Sequence, residues 1–399
     1  MHRCSLPLVA LVFASLSVLA AETKPAETKP VAGTAEAKVD KALAAPKQDV
    51  QRFWVTPEFL MYWTKDGPVH DVYVLRTTDG SSPTLGNPTT ERLFANNDQD
   101  YGMQLGGRLT FGMWVDECQK WGFELGGFAL QEKEARWNHH SPLGGTEIVA
   151  LSFYSTDRTP PGEGRWAWTD PGNAGSVSVE SHSQLWGVGA SGLYNVKRED
   201  NLTLDATFGI RHVDLSEDFA IRGDNTVVIL ATKDSFEAHN QFYGPKVGAK
   251  FSYTAWDRLL VNVEPSLALG ANCESLKVRG NLYWPGAFPG ATPPGSILAI
   301  SPMLGDHSKT SFAVIPEIKV GLGCKITRNL SFNANYNFLY VSDVVRPGQQ
   351  PNRRINATHL PDAGPGLYNP TSLPNDPRLR FKTSDYWAHG LGVNLKIQF

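Results

Sequence analysis

The chain ends in Tyr386 to Phe399, which reads YWAHGLGVNLKIQF, and this stretch decides the fold. In an extended chain, successive side chains point to opposite faces. Small or polar residues occupy one face here, with His389 as an interruption, and the other face carries Trp387, Leu391, Val393, Leu395, Ile397 and Phe399. Such alternation over about ten residues is typical of a strand with one face toward lipid. The segment therefore predicts a strand of a membrane β-barrel.

The same alternation recurs along the chain. It is regular in residues 202–211, 259–269, 311–322 and 330–340, and less regular in 53–64, 101–115, 121–133, 179–196 and 243–255. Single-chain bacterial barrels have an even number of strands. We therefore predict an all-β fold, a closed antiparallel transmembrane β-barrel of about ten strands, within a range of about ten to twelve.

The predicted connections fall into two length classes that alternate. The short ones are 116–120, 197–201, 256–258 and 327–329, and the long ones are 65–100, 134–178, 215–242, 270–310 and 341–384. This indicates short periplasmic turns and long extracellular loops. A soluble sandwich also has alternating strands, but it gives no reason for the connections to alternate in length.

The N-terminus predicts export. A positive start at His2 and Arg3 precedes an apolar run, and the small residues before Ala21 suit a signal peptidase. The apolar run is too short for a spanning anchor, which is the alternative. We predict a signal peptide over residues 1–20 cleaved near Ala20, a disordered periplasmic leader over 21–50 and an outer-membrane β-barrel domain over 51–399.

Charge and cysteine content argue against several function classes. A formal net charge of -3 gives no basic footprint, so we expect no nucleic acid partner. Cys118, Cys273 and Cys324 have no zinc-ligand spacing. Only Cys118 and Cys324 fall near the same predicted rim, so only these two could form a disulfide, and free thiols are the default expectation. Adjacent histidines in a polar surface loop, such as His139-His140, are usually solvated rather than metal ligands, and Ser181-His182-Ser183 lacks the nucleophile elbow of a serine hydrolase. We predict no catalytic, metal or cofactor-binding residue and no enzyme.

If the apolar face meets lipid, the opposite face lines the lumen. Charges on that face nearly balance: Glu58, Arg108, Glu124, Asp205, Arg211, Lys246, Lys250, Glu264, Glu317, Lys319 and Lys396. Unpaired buried charges would be costly, so they must pair or be hydrated. Because barrels of about eight strands are filled by side chains, we expect a paired network that leaves at most a narrow pathway.

Two N-terminal segments carry a family resemblance. Phe53–Trp63 (FWVTPEFLMYW) resembles the opening strand of the putative beta barrel porin family 7, and Gly106–Asp116 followed by Trp121–Glu124 resembles its next hairpin. The resemblance extends from about Phe53 to Phe399. It implies an outer-membrane porin, and it supplies no catalytic residues.

Two functions remain open at this point. The first is a porin that passes small solutes through a charge-lined narrow lumen gated by long outer loops. The second is a non-conducting structural or adhesive barrel that displays surface loops. For either, we expect the bacterial outer membrane as location, its lipid and the barrel-assembly machinery as partners, and terminal Phe399 as the assembly signal.

Overall fold

The structure, a computed structural model, describes residues 51–289, 293–361 and 368–399. The predicted signal peptide and leader lie outside the described residues. In the part of the chain that the structure describes, no helix has the length and apolarity needed to cross a membrane.

Strands dominate the described chain, as the alternating pattern predicts. In chain order they are β1 Phe53–Thr64, β2 Tyr73–Thr77, β3 Glu91–Ala95, β4 Met103–Trp114, β5 Trp121–Leu130, β6 Lys133–Ser141, β7 Ile148–Ser155, β8 Gly162–Ala167, β9 Gly175–Arg198, β10 Leu202–Asn225, β11 Leu230–Ala255, β12 Leu259–Tyr283, β13 Gly305–Lys325, β14 Leu330–Val345, β15 Arg354–Ile355 and β16 Thr383–Gln398. Short 3-10 turns lie at Pro347–Gln349 and Ala357–His359. The all-β prediction is confirmed.

Ten of these strands form a ring. Within the described residues, the antiparallel order is β1, β4, β5, β9, β10, β11, β12, β13, β14 and β16, and β16 pairs with β1 again. The last pairing runs from Trp54 opposite Gln398 to Thr64 opposite Ala388. Phe399 then exchanges backbone hydrogen bonds with Phe53, at 3.0 and 2.9 Å. The C-terminal strand therefore closes the ring onto the first strand.

The outer face of the ring carries an apolar band, which we call the outer belt. Every ring strand contributes large exposed apolar side chains to it, for example Phe59, Leu109, Phe123, Val188, Ile210, Val247, Leu267, Val320, Tyr336 and Leu395. Alternate positions point inward and are mostly polar or small. The pleat therefore separates an apolar exterior from a polar interior.

Five strands, β9 to β13, continue well past the outer belt. We call the part of β9 to β13 beyond the outer belt the extension. Within it, β10 and β11 stay paired up to Asn225 and Leu230, and a turn over residues 226–229 joins them. The predictions of a loop over 215–242 and of an uninterrupted loop over 270–310 are therefore wrong. The lipid-facing pattern ends because, in the extension, the apolar side chains lie on the inner face of the strand instead of the outer face. On β10, Ile210 points outward, whereas Phe219 and Ile221 point inward and are buried.

A second, smaller sheet lies in the remaining long connections. Its order is β15, β7, β2 and β3, and β8 pairs with β7. Val74, Leu151 and Trp166 of this sheet share one hydrophobic core with Phe219 and Val278 of the extension. The connections at 65–100 and 134–178 are thus folded structures that pack inside the extended wall.

Candidate functional site: the interior of the ring

Most of the predicted lumen residues surround one cavity inside the ring, which we call the charged cavity. The cavity has a volume of about 150 Å³. Eight predicted lumen residues line it: Arg108, Glu124, Arg211, Lys246, Lys250, Glu264, Glu317 and Lys319. Their shared function as the lining of a transport path stays a prediction.

Ion pairs cross this interior between strands that are not neighbours. Glu317 on β13 accepts hydrogen bonds from Arg211 on β10 and from Arg108 on β4, the latter at 3.4 Å. Glu58 on β1 lies 3.1 Å from the Nζ of Lys319 on β13, and it also lies 3.8 Å from the Nε of Arg108, its partner on the neighbouring strand β4. The two pairs of Glu317 and the Glu58–Lys319 pair connect strands that are not adjacent, so they brace the ring as well as satisfy buried charge.

A second group lies nearer the end of the ring that holds the short turns. Glu124 accepts hydrogen bonds from Lys250 and, at 3.2 Å, from the Nε1 of Trp54. The Lys396 ammonium lies 5.3 Å from the Trp54 ring centroid, in cation–π geometry. Asp205 accepts a hydrogen bond from Asn195 at 2.6 Å. The three remaining predicted lumen residues, Glu58, Asp205 and Lys396, interact with residues of the charged cavity but do not line it.

An asparagine ladder extends this polar interior. Asn333 on β14 donates to Asn394 on β16 at 3.1 Å and accepts from Asn262 on β12 at 3.2 Å. Asn337 donates to Glu317 at 3.2 Å. The lumen residues predicted from the sequence were all charged, so these amides were missed. The sequence does contain a signal for them, because Asn333, Asn335 and Asn337 alternate with apolar residues and so lie on the same face as the charges.

An apolar layer, which we call the apolar seal, lies across the ring toward the extension. Its members form one hydrophobic cluster in which no side chain exceeds 3% exposure. They come from nine of the ten ring strands: Leu60, Tyr62, Leu130, Leu185, Val213, Leu215, Phe242, Ala268, Ala313, Ile315, Leu339, Val341, Val344, Tyr386 and Ala388. A water-filled passage would expose the side chains around it, whereas these side chains are shielded from water.

The remaining ring strand, β4, presents a glycine at the level of the apolar seal. A Cβ on Gly106 would lie 2.7 Å from the Cδ2 of Leu130 and 2.4 Å from the carbonyl oxygen of Ala129. Gly106 thus leaves room for Leu130, which is buried in the seal. Sequence periodicity detects the inward position of this glycine but not the neighbour that fills the space.

The histidine and cysteine residues that the sequence analysis considered as ligands or reactive groups lie outside the charged cavity. His139 lies on β6, not in a loop, with its Nε2 3.3 Å from Glu147. The described residues contain no group of three or more side chains suited to hold a metal ion. Cys118 and Cys324 are free, exposed thiols.

The sequence profile of the putative beta barrel porin-7 family matches residues 54–399, the bulk of the chain. The chain belongs to this family. In the putative beta barrel porin-7 chain, the match begins in β1 and ends at the closing residue Phe399, so it spans the whole ring. A search of curated proteins found no match.

Several solved structures resemble this putative beta barrel porin-7 chain at low sequence identity. The outer membrane protease OmpT from Escherichia coli has 8% identity and a TM-score of 0.44, with 88% of this chain and 98% of that chain covered. A Pseudomonas aeruginosa FadL homologue has 8% identity, a TM-score of 0.25 and coverages of 87% and 90%. The transport unit of the autotransporter AIDA-I from Escherichia coli has 11% identity, a TM-score of 0.22 and coverages of 90% and 94%.

Proposed function

We propose that this chain is an outer-membrane β-barrel whose interior is closed by the apolar seal, and that its extension forms a rigid platform on the cell surface. Support for the membrane location comes from the outer belt. Large contiguous apolar surfaces are rare on soluble proteins, whereas lipid removes the cost of exposing them. The family to which the chain belongs points the same way.

The single observation that carries the closed state is the low exposure of the apolar seal. Leu60, Phe242 and Leu339 come from three different strands of the ring and are each at most 2% exposed. Packed apolar side chains leave few voids larger than a water molecule. Solutes therefore have no path through this level unless the seal separates.

The platform is formed by the extension and the smaller sheet packed against it. The hydrophobic core that joins them includes Phe219, Val278, Trp168 and Leu151, each buried. Such packing gives the surface structure a fixed shape, which suits the display of contacts to other surface components. We propose no catalytic role, and the expectation that the chain is not an enzyme stays a prediction.

A porin is the second candidate. The family description favours it, and so does the charged cavity, whose lining residues Arg108, Lys250 and Lys319 retain 15%, 26% and 17% side-chain exposure. Water therefore reaches the cavity. In this candidate function the seal would have to open, which would expose its apolar side chains to water.

Solute uptake by liposomes tests the closed barrel. We expect no uptake of small sugars or amino acids with the wild-type chain and uptake with the seal variant Phe242→Ala/Leu339→Ala, because that variant removes bulk from the layer. The matched control is Val247→Ala/Leu322→Ala, which removes bulk from the outer belt instead. Rapid uptake through the wild-type chain would favour the porin.

A further inference from the structure

The charged cavity has an excess of positive charge. Its charged lining consists of five cations and three carboxylates. Glu58, which pairs with Arg108 and Lys319 from just outside the lining, adds a fourth carboxylate and still leaves one cation in excess. A polar cavity with this imbalance attracts an anion.

Of the five cations that line the described cavity, Lys246 is the one without a direct acidic partner. It lies on β11 between Gly209 of β10 and Ala268 of β12, so neither cross-strand position supplies a carboxylate. Its electrostatic neighbour Glu317 is already held by Arg211 and Arg108. Among the described residues, Lys246 takes part in no ion pair, although its side chain lines the cavity.

Three of the five lining cations surround one carboxylate, that of Glu317. Arg108 lies 5.5 Å over the ring of Phe128, and Phe128 both lines the cavity and packs against the apolar seal. Arg108, Arg211 and Lys246 all act on the one carboxylate of Glu317. An anion there would neutralise cations that the carboxylate alone does not balance.

We propose that the charged cavity binds a small inorganic oxyanion of the phosphate class, which reaches it from the end of the ring that holds the short turns. Lys246 and Arg211 would contact its oxygens, and the hydroxyls of Thr207 and Ser266 also line the cavity. The cavity volume of about 150 Å³ is well above the roughly 10–15 Å³ that a cavity needs to hold one water. It can therefore hold one such anion with a little water. This inference rests on the proposed barrel but not on whether the seal opens.

Calorimetric titration of the purified full-length chain in detergent with inorganic phosphate, at constant ionic strength, tests the site. Lys246→Met removes the unpaired cation and leaves every ion pair intact. Lys233→Met is the matched control, because Lys233 lies on the same strand but outside the ring interior. We expect saturable binding to the wild-type chain and to Lys233→Met, and affinity at least about tenfold weaker for Lys246→Met, the loss of one charge-assisted hydrogen bond.

The absence of saturable phosphate binding to the wild-type chain would overturn the proposal. So would equal affinity in Lys246→Met, provided that the variant shows the wild-type shift in gel mobility on heating, which reports a folded barrel. Solute uptake through the wild-type chain would instead contradict the closed barrel and leave the anion site standing, so the two failures are distinguishable.

Discussion

The guanidinium group of Arg346 binds both carboxylate oxygens of Glu217, and neither side chain is accessible to solvent. Nε donates to one oxygen, and an Nη donates to the other at 2.8 Å. The same Nη also donates to the backbone oxygen of Asp66 at 3.0 Å. Because Glu217 belongs to β10 and Arg346 follows β14, this ion pair fastens two connections inside the ring to the wall, next to the apolar seal.

Breaking this pair from one side should destabilise the protein strongly. Arg346→Met leaves the Glu217 carboxylate buried without its partner, and we expect a loss of about 3–5 kcal/mol in the free energy of unfolding. The measurement is urea unfolding in lipid vesicles, followed by tryptophan fluorescence. The double variant Arg346→Met/Glu217→Leu should recover much of the loss, since it removes both charges. A loss in the double variant as large as in the single variant would contradict this reading.

The cross-ring pairs of Glu317 should matter less but measurably. Glu317→Gln leaves Arg108 and Arg211 without full compensation, and we expect about 1–3 kcal/mol of destabilisation in the same assay. Glu199→Gln is the matched control, because the pair of Glu199 with Lys197 is solvent-exposed. Exposed pairs contribute about 0–1 kcal/mol. Equal effects of the two variants would show that the interior charges are as well hydrated as those at the surface.

Asp234 predicts a local pH dependence in the extension, beyond the outer belt. One carboxylate oxygen of Asp234 accepts hydrogen bonds from the backbone nitrogens of Ile297, Leu298 and Ala299, at 3.0, 3.0 and 2.7 Å. Burial raises the pKa of Asp234 from 3.8 to about 6. The folded form therefore holds its proton more tightly than the unfolded form, so this contribution to stability is complete below pH 3.8 and is lost as the pH rises through about 6.

Hydrogen exchange at Ile297 to Ala299 measures that contribution. We expect slower exchange at pH 5 than at pH 7.5, after correction for the intrinsic rate. Asp234→Asn keeps an oxygen acceptor but cannot ionise, so its protection should be the same at both values. A pH dependence that persists in Asp234→Asn would assign the effect to another group.

Phe399 should act in assembly rather than in the closed interior. Its ring lies 6.2 Å from that of Phe53 in a stacked arrangement and remains 58% exposed, so its removal costs little packing. We expect deletion of Phe399 to reduce membrane insertion in cells while leaving the refolded protein closed to solutes. Val115→Ala, another exposed apolar change, is the control. Normal insertion of the deletion variant would remove Phe399 as the assembly signal.

The sequence predicted the strands of the ring because the signal for each strand lies within its own residues. Alternation at residues 202–211 and 386–399 identifies strands and faces without knowledge of the partner strand. The extension was missed because residues 213–221 keep the alternation of a strand but place the apolar side chains on the inner face. The alternation that places apolar residues on the outer, lipid-facing side therefore ends at the outer belt, and the search for it missed the extension.

The interior was predictable only in composition. The sequence places Glu58 and Lys319 on inward faces, but their pairing across 261 positions depends on the tilt and closure of the ring. Arg346 and Glu217 are 129 positions apart, and no local pattern joins them. Nor does a run of alternating residues reveal that the inward Leu60 and Phe242 meet other apolar groups rather than water.

Planar bilayer recording tests the central claim, that the apolar seal closes the ring. The account predicts that the wild-type chain inserts without steady conductance steps, that Phe242→Ala/Leu339→Ala shows them, and that Val247→Ala/Leu322→Ala does not. Large, stable steps from the wild-type chain, at the same size as those from the seal variant, would contradict it.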